Sequence, residues 1–446
     1  MLKKRIAIIF AVLTMLLAVV YYLHNRYAHD GYKSRLESLM SLPYVTWSES
    51  GAEDAVRGVM KNDRERSFFG YNFYTDYDKN AYLMDNDGQI VHKWEFPFQG
   101  RWEHAELLKD GGILGICVGK CFIKLNRDSN VVWMYKIRTH HDIAVLPDNT
   151  YLIPVTLDMV VYNSRKVIFN SVLHISEDGT VLDEWSTFAN FERLKKLHPP
   201  SGLDKIRGWG KLYLLAGNPI IRIKREDKSA KLPLYNSTKP DRQKEYGLSL
   251  WKKRLKKLIN KILGWDKRYD YYHLNAVESI PDTPLGRIDK RFKKGNYLIC
   301  LGSANLILIL DKDSKEVVWS WGAGILDLPH DPTMLENGNI LLFDNGYDRS
   351  YSRVLEIDPV GAHIVWEYKT SPPENFHSSK WGSAQRLPNG NTLICESEKG
   401  HVFEIDREDN VVWEFLNPEI KDGKVKVIYR MLRVPKEKVE GWLEPY

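Results

Sequence analysis

VFEIDREDNVVW, residues 402–413, reads as a strand, a tight acidic turn and a second strand that ends on tryptophan. The phrase returns as VLEIDPVGAHIVW (354–366) and LILILDKDSKEVVW (306–319). Looser copies end at Trp185 (VLHISEDGTVLDEW), Trp133 (FIKLNRDSNVVW) and Trp94 (YLMDNDGQIVHKW). The six tryptophans are spaced by about 39, 52, 134, 47 and 47 residues, and a period in the forties is that of propeller blades. Between the phrases runs a second recurring line: HHDIAVLPDNTYLI, PHDPTMLENGNILLF, WGSAQRLPNGNTLIC. Six such units close into a ring whose innermost strands line a central channel. The sequence therefore predicts an all-β, six-bladed β-propeller over residues 67–437, with chemistry expected at the channel.

The chain has 446 residues, enough for several domains, but the repeat runs from about residue 80 to the C-terminus and favours one large repeat domain. Its 43% hydrophobic and 12% aromatic content suits a folded β-rich core. The net charge of +6 is locally concentrated, and neither zinc spacing nor an RNA-binding sheet motif is present, so no nucleic-acid partner is expected. At the N-terminus, Lys3-Lys4-Arg5 precede an uncharged stretch from Ile6 to Leu23. As a helix these 18 residues rise about 27 Å, close to a bilayer's hydrocarbon thickness. Tyr21 and Tyr22 stand near the far end, where amphipathic rings favour the interface. The basic flank places the N-terminus in the cytoplasm. The segment VVYYLHNR offers no small residues for signal cleavage. The expectation is one N-terminal transmembrane helix within 1–28, an uncleaved signal-anchor in the inner (cytoplasmic) membrane. A tether over 29–66 follows, with the main domain on the periplasmic or extracellular side and a short tail over 438–446. A cleaved signal would leave the same compartment.

The gap of 134 residues marks an insertion at about 189–270. Inside it, residues 248–265 set Leu248, Trp251, Leu255, Leu258, Ile262 and Trp265 at helical spacing, with lysines and Arg254 on the other faces. This basic amphipathic helix can lie on anionic lipid or cap the propeller with its apolar side. Of the four cysteines, Cys117 and Cys121 are close enough to bridge a hairpin in an oxidising compartment. Cys300 and Cys395 read as buried free thiols, and the absence of a CxxC pair disfavours zinc and thioredoxin chemistry.

Aligned on the Leu-Pro-Asn-Gly-Asn turn, Gly338, Asn149 and Gly390 correspond, and eight residues upstream stand His330, His141 and Gly382. In the line HLNAVESIPD the residue in register is Asn275, with His273 two positions earlier. Strand side chains alternate, so His141, His273, Asn275 and His330 are expected to point from three blades to one channel mouth. His104 is one residue out of register, and it and His140 are expected to point elsewhere. A lone strand histidine is usually a core residue; three in equivalent slots suggest a site. Three imidazoles and an amide suit a metal or an anion, and an anionic group fits better because a carboxylate second shell is not evident and Asn275 is a poor ligand. No metal or cofactor is expected. One histidine can also attack the bound group and form a covalent intermediate.

PHDPTMLENGNILLFDNG (329–346), HLN (273–275), HHDI (140–143) and SAQRLPNGNTLIC (383–395) resemble the bacterial arylsulfotransferases that use no nucleotide sulfate donor. IYRMLRVPKE and YLMDNDGQIVHKWEF resemble that family's closing and opening strands. The resemblance implies a sulfuryl transfer from a phenolic sulfate ester to a phenolic acceptor through a sulfohistidine, with ping-pong kinetics. It implies His330 as nucleophile, His273 and Asn275 as holders of sulfate oxygens, and His141 as a further channel histidine. One departure stands out. Where the family carries an arginine in a Ser-Arg-Asn stretch, this chain has Leu301-Gly302-Ser303-Ala304-Asn305. Arg386 is the expected substitute as a substrate-binding residue, with Arg349 and Arg353 as further candidates. Trp321, Trp381 and Tyr347 are expected near the channel entrances, where aromatic rings suit planar phenols. Two competing readings remain. Quinoprotein dehydrogenases also read Asp-turn-Val-Val-Trp, but six phrases and no adjacent cysteines disfavour them. The other is a non-catalytic extracytoplasmic propeller that binds a partner or an envelope component.

Overall fold

A computed structural model describes residues 46–49, 56–162, 165–198, 213–214, 231–234 and 268–443. The expected anchor (1–28) and the basic helix (248–265) lie outside these residues. Among the described residues no helix is long and apolar enough to cross a membrane.

The recurring phrase forms the two outer strands of a sheet, as its turn chemistry dictates. Asp406 accepts the amides of Glu408 and Asn410 through its Oδ1, and Asp85 does the same for Asp87 and Gln89. Such aspartates fold the chain back on itself before the next apolar run begins. Among the described residues, strands build six sheets of four strands or more and one of three, all paired antiparallel except Arg165–Ile175 with Arg268–Asp270, which is parallel. In chain order the larger sheets begin at Tyr71–Thr75, Trp102–Leu107, Ala144–Val145, Leu274–Ser279, Pro329–Met334 and Ser383–Arg386. The first is completed by the C-terminal strand Met431–Val434, which pairs with Tyr71–Thr75.

The strands read as nearly continuous apolar runs because both faces are buried. In Tyr297–Leu301, Tyr297, Ile299 and Leu301 enter the core shared with the preceding sheet, while Leu298 and Cys300 enter the core shared with the next. Six such cores lie between successive sheets, and the sixth joins the last sheet to the first. The arrangement is that of a β-propeller.

The repeated tryptophan has a mechanical reason. Trp94 donates through Nε1 to Gly111 O of the next sheet at 3.0 Å, Trp319 to Pro359 O at 2.9 Å, and Trp413 to Asn86 O at 2.8 Å. The last of these crosses from the sixth sheet to the first. Arg433 fastens the same seam, reaching Glu404 at 3.0 Å and Asn72 at 2.7 Å, with its guanidinium over the Trp413 ring.

Several segments do more than the sequence suggested. Within the segment read as a tether, Gly58–Asn62 adds a fifth strand to the sixth sheet, and Trp47–Glu49 pairs with Lys424–Lys426. The tail docks as well: Trp442 packs against Trp94, with ring centroids 5.9 Å apart. The insertion is rooted in a long hairpin, Tyr151–Tyr162 and Arg165–Ile175, which also pairs with Tyr213–Leu214 and Arg268–Asp270. All four cysteines are buried free thiols, with Cys117 and Cys121 opposite each other in neighbouring strands.

Trp413 is fully buried, so Trp413→Ala is expected to lower the unfolding free energy by about 3–5 kcal/mol. Half-buried Trp366 is expected to lose clearly less as Trp366→Ala; urea unfolding of the two variants checks the contrast.

Candidate active site

The backbone is irregular where the first strands of the third, fourth and fifth sheets begin. His141, His273 and Asp331 take left-handed backbone conformations, with φ of 68°, 48° and 52°. Asn275 is the extra residue of a bulge between Leu274 and Ala276, and the ladder shifts again between His330 and Thr333. Simple alternation therefore does not aim these side chains. Bulges and left-handed residues do, and such backbone is held only where its surroundings fix it.

The result is a buried cluster of imidazoles. The His141 ring lies 4.8 Å from that of His273 and 6.3 Å from that of His330. His330 is 2% exposed. Its Nδ1 is 2.8 Å from Asn345 Oδ1 and 3.2 Å from Leu328 O. The amide of Asn345 is oriented by its own partners, since Nδ2 donates to Ser378 O at 2.6 Å and Trp381 O at 2.8 Å. Oδ1 therefore accepts, and Nδ1 of His330 carries the proton. The lone pair is left on Nε2, which is buried and has no hydrogen-bond partner among the described residues. Burial, followed by the nearby His141 and His273, pushes the His330 pKa down to about 3. The ring is neutral at ordinary pH.

His273 is held through Nδ1 by Asp270 at 3.1 Å, which also accepts the His273 amide. Burial works against the Asp270 charge, yet the hydrogen bond and charge of His273 hold its carboxyl below the ordinary value. His141 Nδ1 lies 3.0 Å from the Tyr429 hydroxyl, and the two rings stack. Glu103 accepts the His141 amide at 2.8 Å, and burial pushes its carboxyl up. Asn275 is fully buried and donates to Pro329 O at 2.8 Å, tying the fourth sheet to the strand that carries His330. Gly302 packs on that amide: a Cβ there would come within 2.7 Å of Asn275 Nδ2.

The structure thus brings His141, His273, Asn275 and His330 together. Arg386 is not among them. Its guanidinium goes to Glu356 at 2.7 Å and Thr392 at 2.6 Å, over the Trp366 ring. Four residues along a strand from Gly382 is a rise of about 13 Å, which accounts for the distance. Arg349 and Arg353 both bind buried Asp344. Trp321 belongs to an inter-sheet core, whereas Trp381 packs with Tyr77 and Tyr429 beside the histidines. His140 and His104 border the site: the His140 ring is 5.0 Å from that of His141, and His104 Nε2 is 3.9 Å from Asp142 Oδ1. Sequence reasoning missed three residues, Tyr429, Asn345 and Arg430. Asn345 lies in the FDNG stretch, and the other two lie in IYRMLRVPKE. Among the described residues no group of three His, Cys, Asp or Glu side chains is arranged to hold a metal ion.

Two family models described as Arylsulfotransferase (ASST) match the chain, one over residues 52–322 and the other over 254–418. The first alone spans more than half of the sequence, and the chain belongs to the arylsulfotransferase family. Membership supports sulfuryl transfer at the family level. Among curated proteins, none matches the chain in sequence. Similar solved structures include a protein of unknown function from Bacteroides caccae, 12% identical, covering 82% of this chain and 99% of its own, with a TM-score of 0.45. A streptogramin B lyase is 10% identical over 84% of this chain and 88% of its own, TM-score 0.41. The WD40 β-propeller domain of Doa1 is 8% identical over 89% and 99%, TM-score 0.42. With scores below 0.5, these likenesses have no bearing on function.

The buried imidazoles make stability depend on pH. Burial holds His140 and His330 at about 3 and His141 well below the usual histidine value. Their unfolded counterparts take up protons near pH 6.5, so this stability is fully present above pH 6.5 and is lost as pH falls toward 3. Burial raises Glu278 to about 8, which acts in the opposite sense: its contribution is complete below about pH 4.5 and is lost as pH rises through 8. His140→Gln is expected to remove one imidazole's share, flattening the acid-side loss by about 1.4 kcal/mol per pH unit below 6.5. Urea midpoints for wild type and variant from pH 7.5 to 5 check this.

Proposed function

We propose that the chain is a six-bladed, nucleotide-independent arylsulfotransferase. It is anchored in the inner membrane by its N-terminal helix and acts outside the cytoplasm. It moves a sulfuryl group from a phenolic sulfate ester to a phenolic acceptor through a sulfohistidine at His330. The observation that carries this reading is the oriented, neutral His330 ring, whose Nε2 lone pair lies buried beside His141 and His273.

In the first half-reaction the Nε2 lone pair attacks sulfur and the bond from sulfur to the aryl oxygen breaks. The departing phenolate takes a proton from His273, which Asp270 supports through Nδ1. The His330 ring, now carrying the sulfuryl group, keeps its Nδ1 proton on Asn345. In the second half, an acceptor phenol gives its proton to His273, its oxygen attacks sulfur, and the N–S bond breaks to restore His330. Asn275 and His141 hold sulfate oxygens, and the Trp381, Tyr77 and Tyr429 rings offer a surface for the aryl group.

An aryl sulfate carries a single negative charge. In a loose transition state of the phosphoryl-transfer kind, new charge gathers on the leaving oxygen rather than on the transferred group. The demand for a guanidinium is correspondingly smaller. One observation favours the alternative, a binding propeller: the guanidiniums of Arg349, Arg353, Arg386 and Arg430 are all committed to carboxylates.

Release of a coloured phenol from an aryl sulfate by the full-length protein tests the proposal. Parallel double-reciprocal plots are expected as acceptor concentration is varied, with kcat/KM reduced on the order of 10³-fold or more in His330→Ala. Silence of the folded protein across a broad donor panel supports the binding reading instead.

A further inference from the structure

Beside the histidine cluster lies a buried charge cluster with no part in the steps above. The Arg430 side chain is 8% exposed, with Nη1 2.9 Å from Asp142 Oδ1 and Nη2 3.0 Å from Asp331 Oδ1. Each aspartate directly follows a histidine of the site, in the pairs His141-Asp142 and His330-Asp331. The other oxygen of each carboxylate holds a neighbouring sheet. Asp142 Oδ2 accepts Val277 N at 2.9 Å, and Asp331 Oδ2 accepts Ala384 N at 3.2 Å. Arg430 itself follows Tyr429, whose hydroxyl meets His141. One guanidinium therefore fixes both His-Asp corners, where His141 and Asp331 are left-handed.

Stability alone is a poor reason for such a cluster, because buried ion pairs seldom outperform well-packed apolar groups of the same volume. Its geometry offers another. A guanidinium presents donors in a rigid planar fork and can meet two carboxylates on different edges, whereas an ammonium is a point charge. We infer that Arg430 is a positioning residue for the transfer reaction: through Asp142 and Asp331 it sets the separation and orientation of His141 and His330. This rests on the function proposed above, and a displacement of about 1 Å at a reacting group costs on the order of 100-fold in rate.

The test uses the full-length protein with ¹⁵N-labelled histidine, as wild type, Arg430→Lys, Asp331→Asn, and Asn345→Ala as the reference for a released ring. Ring nitrogen shifts report the His330 tautomer, and aryl sulfate turnover gives kcat and KM. Arg430→Lys and Asp331→Asn are expected to fold and to populate both His330 tautomers, as Asn345→Ala does. Their kcat is expected to fall roughly 100-fold while KM stays within about threefold. Wild-type tautomer and kcat in both variants, with only the melting temperature lowered, overturns the inference in favour of a purely structural clamp. If Arg430→Lys does not fold, Asp331→Asn, which keeps the pair between Arg430 and Asp142, decides by the same criteria. Failure of both to fold also assigns the cluster to stability and overturns the inference. If wild type turns over no aryl sulfate, the sulfotransfer reading fails, while the tautomer measurement still decides on the clamp.

Discussion

A ring of sheets has to be closed, and the center of this one is held by the bridge that Arg430 makes between Asp142 and Asp331. Arg430 directly precedes the strand that completes the first sheet. Asp142 introduces the third sheet and accepts an amide from the fourth. Asp331 lies in the fifth and accepts an amide from the sixth. His104, in the second sheet, approaches Asp142. Burial opposes the charge on Arg430, but the two aspartates more than offset this and raise its pKa. At the outer rim, Trp94, Trp319 and Trp413 each donate to a turn of the next sheet. The inner bridge and outer staples together leave the histidine cluster little freedom, which a site built from three sheets requires.

The electrostatics of that mouth follow from burial more than from ion pairing. Three imidazoles within a few ångströms cannot all be charged away from water, and His140, His141 and His330 are driven well below the usual histidine range. Neutrality is what the nucleophile proposed at His330 needs, and Asn345 fixes which of its nitrogens carries the lone pair. The guanidiniums of Arg349, Arg353, Arg386 and Arg430 are each paired with a carboxylate.

The fold was largely legible because one physical need repeats. Each unit requires a polar turn and strands buried on both faces, and in three of them the tryptophan donates to the next sheet, so the same letters recur. The histidines were legible for a partly different reason from the one that places them. Alternation along a regular strand singled out His141, His273, Asn275 and His330, whereas bulges and left-handed residues bring them together. Arg386 was singled out by the same rule and lies too far along its strand. Arg430 escaped because it occurs once, outside the repeated lines, although the His-Asp doublets at 141–142 and 330–331 foreshadow its partners. Gly58–Asn62 escaped because an outermost strand is half exposed and leaves no apolar run to read. Residues in one copy, whose partners are distant in the chain, leave no periodic signal.

The proposed transfer turns on one atom, Nε2 of His330. Brief exposure of the full-length protein to an aryl sulfate without acceptor, followed by peptide mass spectrometry at neutral pH, tests it most directly. A sulfuryl group on the peptide that carries His330, removed on adding a phenol and absent in His330→Ala, is the predicted result. A sulfuryl group on another residue, or phenol release with no labelled peptide at all, would contradict it.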